Sequence, residues 1–300
     1  MQVNHPSISD DYFAKVGNFR AGKVKASVLL TGTEGRPDNY RLSYSEGVEG
    51  GNRTHPRHRH PFEQLRWVLE GEYVIGTDWV LPEGWVAWWD GAAWYGPQAK
   101  GSDLKVFELH YGSTSGGGYP SLRQRKEGYD KLLAKGGRFE DGKYIWEDEK
   151  GKIHRRDAAE PVWEQSMGIE KVKYPEARYD RLIMMNPESF SWIRDPKADG
   201  VAHKNLGTFT ERNVRIAFVH LDSGAVFRYG TEPAEEILII KEGSLRHDGK
   251  THGPLTSFGS SPADAVEELT ATEPAVLFYV KLPTYSEDDV LEIPKNGTGS

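Results

Sequence analysis

The chain contains no cysteine. Disulfides and thiolate metal sites are therefore excluded. It also lacks any apolar run near the ~20 residues that a membrane-spanning helix requires. Residues Met1 to Phe19 have no apolar core of the kind a secretory signal carries. A soluble, cytoplasmic setting is the expectation. An excess of positive charge is missing too. Lys and Arg number 38 against 45 Asp and Glu, for a net charge of -7, which argues against nucleic acid or an anionic membrane as partner. No helix-turn-helix pattern is evident, which counts against a DNA-binding regulator. The expected partner is a small molecule.

What the chain does have is turn chemistry and short apolar strands. There are 33 glycines and 17 prolines in 300 residues, enough length for one large domain or two of about 150. Val24 to Leu30 reads as a strand, and Asn39 to Tyr44 alternates as a half-buried strand does. After Gly71, short strands at Glu72 to Ile75, Trp85 to Trp89 and Leu104 to Tyr111 are separated by Pro82-Glu83-Gly84, Asp90-Gly91 and Gly96-Pro97. Such spacing indicates a β-barrel or sandwich. Ser113 to Gly118 reads as a linker. A helix follows near 120–135, a hairpin over Phe139 to Ile153, and a short helix over Pro161 to Met167 ending at Gly168. This stretch either connects two barrels or covers one.

The second half repeats the first. Pro233 to Gly243 aligns without gaps on Pro61 to Gly71, Thr256 to Gly259 falls near Val86 to Gly91, and Val276 to Val280 on Val106 to His110. A duplicated barrel-sized unit follows. In that alignment His58 falls on Gly230, His60 on Glu232 and Gln64 on Glu236. The second copy keeps the β pattern without the imidazoles and reads as a structural barrel.

The densest chemistry lies in His55-Pro56-Arg57-His58-Arg59-His60-Pro61-Phe62-Glu63-Gln64. Residues i and i+2 of an extended chain share a face, so His58 and His60 can point the same way. On a straight strand His58 and Gln64 would be ~20 Å apart at about 3.3 Å per residue. They converge only if the chain bends, and Pro61 is placed to allow it. The expected picture is a histidine strand, a corner, then a strand from Gln64 to Leu69 closing at Gly71. A solvated basic loop is the plainer alternative.

This motif, with Val68-Leu69-Glu70-Gly71 behind it, resembles the first motif of the cupin superfamily. The resemblance implies an all-β fold of two cupin (double-stranded β-helix, or jelly-roll) barrels joined by a partly helical linker. The implied layout is an arm over 1–20, barrel 1 over 21–112, a connector over 113–175, barrel 2 over 176–285 and a tail over 286–300. It further implies that His58, His60 and Gln64 hold a divalent transition metal (Fe, Mn, Ni or Zn), with an amide where most cupins carry glutamate. In the second motif Trp94 stands where the fourth ligand is expected, so His110 on the closing strand is a substitute candidate. Taken alone, His110 is more often a satisfied barrel histidine. Gln98 stands where that motif ends in asparagine. Barrels of this superfamily often pair edge strands, so a homodimer is expected.

Six of the nine tryptophans lie between 67 and 94. Trp67, Trp88 and Trp94, with Gln98, are candidate walls of a ligand pocket, and packing or a dimer face would explain them as well. Glu63, Tyr95 and Glu108 are the candidates for proton transfer. His5, His154, His203, His220, His247 and His252 read as structural or surface residues. The leading expectation is a metal-assisted enzyme of oxygenase, isomerase or lyase type acting on a small organic anion, aromatic ones included. The alternatives are a metal-free acid/base enzyme and a non-catalytic sugar- or metabolite-binding barrel.

Overall fold

The structure, a computed structural model, describes residues 1–7, 20, 23–50, 53–112 and 118–286. Most of the expected arm and tail, and the Ser113 to Gly117 part of the linker, lie outside them. The chain divides into two compact units: Ile8–Met184, and Met185–Val290 together with Met1–Ser7. No helix among the described residues is long and apolar enough to cross a membrane.

The first unit is built on a six-stranded sheet. Its main strands are Lys25–Thr31, Tyr40–Glu46, Glu63–Glu70, Val86–Trp89 and Lys105–Tyr111. Lys105–Tyr111 lies between Tyr40–Glu46 and Glu63–Glu70, antiparallel to both. A four-stranded sheet of Arg53–His55, Gln98–Lys100, Tyr73–Gly76 and Trp79–Leu81 faces it. Alternation along the strands decides what goes where. Paired residues form rows across the large sheet. Arg41, His110, Gln64 and Trp89 make one row, and Ser43, Glu108, Arg66 and Ala87 the next. Val68, Val106 and Trp89 on this face belong to the barrel's apolar core with Tyr73, Ile75, Leu81 and Tyr95. Leu65, Trp67, Trp88, Phe107, Leu109 and Tyr111 face the other way and are also buried.

The connector packs onto this barrel. Helix α1 (Leu122–Ala134) starts with a capping box at Ser121 and Gln124. A three-stranded meander of Arg138–Glu140, Lys143–Glu147 and Ile153–Asp157 follows. Helix α2 (Ala159–Met167) ends at Gly168, whose φ of 65° is the left-handed conformation glycine adopts readily. The helices cross at Gly128. A Cβ there would lie 2.6 Å from Ser166 Oγ and 3.0 Å from the Val162 carbonyl oxygen, so only glycine permits this approach.

The second unit carries the repeat. Its seven-stranded sheet contains Glu236–Glu242, Ala275–Lys281, Val214–Leu221, Val201–Phe209 and Ser257–Ser260 in the same relative order. The register breaks between Ile240 and Glu242 as it does between Val68 and Glu70 in the first unit. Gly71 and Gly243 follow these breaks with φ of 75° and 76°. Pairing refines two sequence correspondences. Ser260 matches Trp89, and Lys281 rather than Val280 matches His110. At the start of the expected arm, Gln2–Asn4 pairs with Ser257–Gly259 at the edge of this sheet.

The interiors differ for a reason visible in the rows. Where the first unit has Ser43, Glu108, Arg66 and Ala87, the second has Ala217, Tyr279, Leu238 and Phe258. Those four, with Leu221, Tyr229, Ile240, Leu269 and Leu277, form one apolar cluster. Glu236 survives there as an acceptor of a 2.6 Å hydrogen bond from the Tyr279 hydroxyl. Apolar side chains fill space that charged ones, needing partners and solvation, leave open.

Candidate functional site

A cavity of about 120 Å³ opens in the first unit. One water needs roughly 10–15 Å³ on the same measure, so the space suits a ligand of about ten heavy atoms. The inward rows of the sheet form its floor, the histidine stretch one wall, and α2 with Tyr119 its roof.

His58 and His60 both line it. They do not sit on a strand, contrary to the expected histidine strand. Residues 56–62 form an irregular corner pinned by three backbone bonds: His58 N–H to the Tyr95 carbonyl, Tyr95 N–H to the His58 carbonyl, and Ala92 N–H to the His60 carbonyl. His58 Nδ1–H donates to the Pro56 carbonyl at 2.6 Å. That fixes the tautomer and leaves Nε2 as the ring's lone-pair acceptor. The His58 and His60 rings are 4.8 Å apart. Burial, reinforced by Arg20, pushes His58 down to about 3. Burial and then His58 push His60 well below the usual imidazole value. Both rings are neutral at pH 7.

Gln64 converges on the same place but is already engaged. Its amide N–H donates to the Tyr95 hydroxyl at 2.9 Å, while its carbonyl accepts from Arg66 at 3.0 Å and from Tyr95 at 3.2 Å. Tyr95, and not Trp94, therefore occupies the inward position of the second motif. Trp94 is 44% exposed and lies between the guanidiniums of Arg57 and Arg59, each 4.9 Å from its ring. His110 lines the cavity, and its Nδ1 lies 2.8 Å from Arg41 Nη2. Since guanidinium only donates, Nδ1 accepts and the proton sits on Nε2, which is buried without a partner. Burial and then Arg41 hold this ring neutral as well.

The residue that sequence reasoning missed is Arg66. It is buried beneath the cavity with Tyr73 and Trp89 rings 4.9 and 4.8 Å from its guanidinium, and its Nε lies 3.2 Å from Glu108. Part of the tryptophan-rich stretch thus cages a cation. Lys100 Nζ approaches Glu108 at 2.7 Å from the other side, and Ser45 donates to the same carboxylate. Burial would raise the Glu108 carboxyl, but Lys100 and Arg66 together outweigh it and bring it to about 2. Glu108 is a fixed counter-charge, not a proton-transfer group. The signal was present in the sequence: Arg66 is two residues past Gln64 and so shares its face.

The same parity corrects other expectations. Glu63, Trp67 and Trp88 lie on the opposite face of the sheet and do not line the cavity. Trp88 donates its indole N–H to Tyr111 instead. Gln98 sits behind the wall, its carbonyl oxygen 3.1 Å from His55 Nδ1. The aromatic surface of the cavity comes from elsewhere. Phe62 stacks on His60 at 4.5 Å and on Trp163 at 5.1 Å, with Tyr119 edge-on at 4.9 Å. Arg20 enters the wall from outside the barrel strands, held by Asp157 at 2.7 and 2.8 Å.

A resident divalent ion can be tested against these donors. Two imidazoles remain, short of the three or four protein ligands such ions usually take. The amide oxygen is consumed, His110 presents an N–H, and the Arg66 cation lies against Gln64. The expected set of His58, His60, Gln64 and His110 is not assembled as ligands, so this arrangement does not fit a resident ion. What the cavity offers is positive charge. Arg20, Arg41, Arg59, Arg66, Lys100 and Arg125 line it against the carboxylates of Glu108 and Glu160. Glu160 is in turn held by Arg156 and Tyr174. Among the described residues a further histidine–carboxylate group occurs in the second unit, His247 with Asp248 and Glu267. The 3.2 Å contact between His247 Nε2 and Glu267 accounts for it as a local hydrogen bond.

No family model matches the sequence, and no curated protein matches it. Solved structures do resemble the fold. A candidate dioxygenase from Nostoc punctiforme, 10% identical, matches over 95% of this chain and 84% of its own, with a TM-score of 0.57. A candidate glyoxylate-induced protein from Pseudomonas aeruginosa, 11% identical, matches over 89% and 83%, with a TM-score of 0.51. Oxalate decarboxylase from Bacillus subtilis, whose Mn(II) centres have been described, is 11% identical over 95% and 78% with a TM-score of 0.49. The fold is the all-β cupin fold. At these identities the likeness is one of fold.

Proposed function

We propose that the protein is a small-molecule enzyme that binds an organic anion in the first barrel and moves a proton with His58, without a resident metal. The observation that carries this reading is the His58 ring. Its Nδ1–H is fixed by Pro56 and its neutral Nε2 belongs to a wall shared with six cationic side chains. An imidazole held near pKa 3 is a weak base in the empty cavity. A bound anion favours the imidazolium and lifts that value toward the working range, so the base becomes competent when substrate is present. The proton leaves the substrate for Nε2, Arg66 and its neighbours stabilise the negative charge left behind, and the proton returns at another atom or to a leaving group. Isomerisation and elimination fit this chemistry. Neither needs an oxidant.

The test is turnover of a panel of small organic acids by protein kept in excess chelator. His58→Gln keeps the size and polarity but removes the base. It should lower kcat by about 10²- to 10⁴-fold with little change in KM. Turnover that persists in His58→Gln, or that appears only with added divalent ion, refutes the reading.

A further inference from the structure

The cavity is two-sided, and that asymmetry names a substrate class. This inference deepens the proposed function and rests on its choice of the first barrel as the ligand site. The floor is polar. His110 Nε2 and Arg66 Nη1 are both buried donors without a hydrogen-bond acceptor. A buried donor left unpaired is costly, and two in one cavity call for a shared acceptor. The roof supplies most of the apolar surface: Trp163 and Phe62, stacked 5.1 Å apart at 19°, line the cavity with Val162 and Pro120, while Glu160 and Ser166 of the same helix add polar groups.

We infer that the substrate is a planar, unsaturated monocarboxylate. Its carboxylate accepts from His110 Nε2–H and Arg66, and its flat body packs beside the Trp163–Phe62 stack. A carboxylate has two acceptor oxygens for two donors. Glu108, ionised and part of the same floor, repels a dianion such as a phosphate monoester more than a monoanion. The cavity volume suits an aryl or arylalkenyl acid of about ten heavy atoms.

Calorimetric titration with three probes tests this: trans-cinnamate, its neutral counterpart cinnamyl alcohol, and the saturated-ring 3-cyclohexylpropanoate. Cinnamate should bind at least about tenfold tighter than either of the others, the loss of one charge-assisted contact or one stacking contact. His110→Phe keeps an aromatic ring but removes the donor. It should weaken cinnamate about tenfold and cinnamyl alcohol distinctly less, since the contact to the neutral oxygen is not charge-assisted. Trp163→Leu should erase the preference for the planar ring while keeping that for the acid. The wild-type comparison needs no variant, so a misfolded substitution cannot rescue the idea. Equal binding of acid and alcohol, equal binding of planar and saturated acids, or no binding of any probe overturns it. Should cinnamate bind as expected while His58→Gln leaves turnover intact, the substrate class stands and the proton-transfer reading falls.

Discussion

Glu108→Gln is the substitution whose cost the structure fixes most closely. The wild-type carboxylate sits 2.7 Å from Lys100 Nζ and 3.2 Å from Arg66 Nε, with side-chain exposures of 13%, 6% and 4% for the three residues. A neutral amide keeps the shape and one acceptor, but it leaves two buried cations facing each other without a counter-charge. Breaking a buried pair in this way costs about 3–5 kcal/mol. For a unit of this size that corresponds to a drop in Tm of roughly 10 °C. Eight of the nine tryptophans lie in the first unit, so tryptophan fluorescence during thermal or urea unfolding follows that unit in the intact chain. The comparison variant replaces all three charges, Glu108→Leu, Arg66→Met and Lys100→Met. Apolar replacement of a whole buried charge group is often neutral or stabilising, so most of the loss should be recovered. A Glu108→Gln loss under about 1 kcal/mol, or a triple variant worse than the single one, would refute the view that a charge network shapes the floor.

Two other outcomes follow from the same coordinates. His58 holds a folded value near 3 against an ordinary 6.5, so the unfolded chain takes up the proton first as pH falls between those values. Stability is therefore complete above about pH 6.5 and declines toward pH 3, with His58 alone contributing a loss of about 2 kcal/mol at pH 5. His60 and His110 shift in the same direction and add to it. A urea midpoint unchanged from pH 7 to pH 5 would contradict this. At Gly128, alanine would gain about 1 kcal/mol of helix propensity in a tolerant helix. Here its Cβ meets Ser166 and the Val162 carbonyl, so Gly128→Ala should instead lose about 1–3 kcal/mol. A raised Tm would show that α1 and α2 are not packed as described.

The part of this site that was legible in the sequence is the part carried by local periodicity. His-x-His, the bend around Pro61 and the strand ending at Gly71 needed no tertiary information, and the gapless repeat marked the sheet of the second unit. Parity could have gone further. Arg66 shares a face with Gln64, while Trp67 and Trp88 belong to the other face, yet tryptophan density was a louder signal than alternation. Trp94 and Tyr95 were separable only by knowing which backbone amide pairs with His58. Arg20, Tyr119 and Trp163 come from the arm, the end of the linker and α2. Their presence at the cavity depends on long-range packing, such as the Arg20–Asp157 pair across 137 residues, and no short-range pattern announces it.

The central claim is that the first barrel binds an organic anion through its own cations and neutral imidazoles. Its most direct test is calorimetric titration of cinnamate into protein stripped of divalent ions, compared with the same protein resupplied with manganese or iron. Binding of equal affinity and stoichiometry in both is the predicted result. Binding that vanishes on stripping and returns with the metal would contradict it.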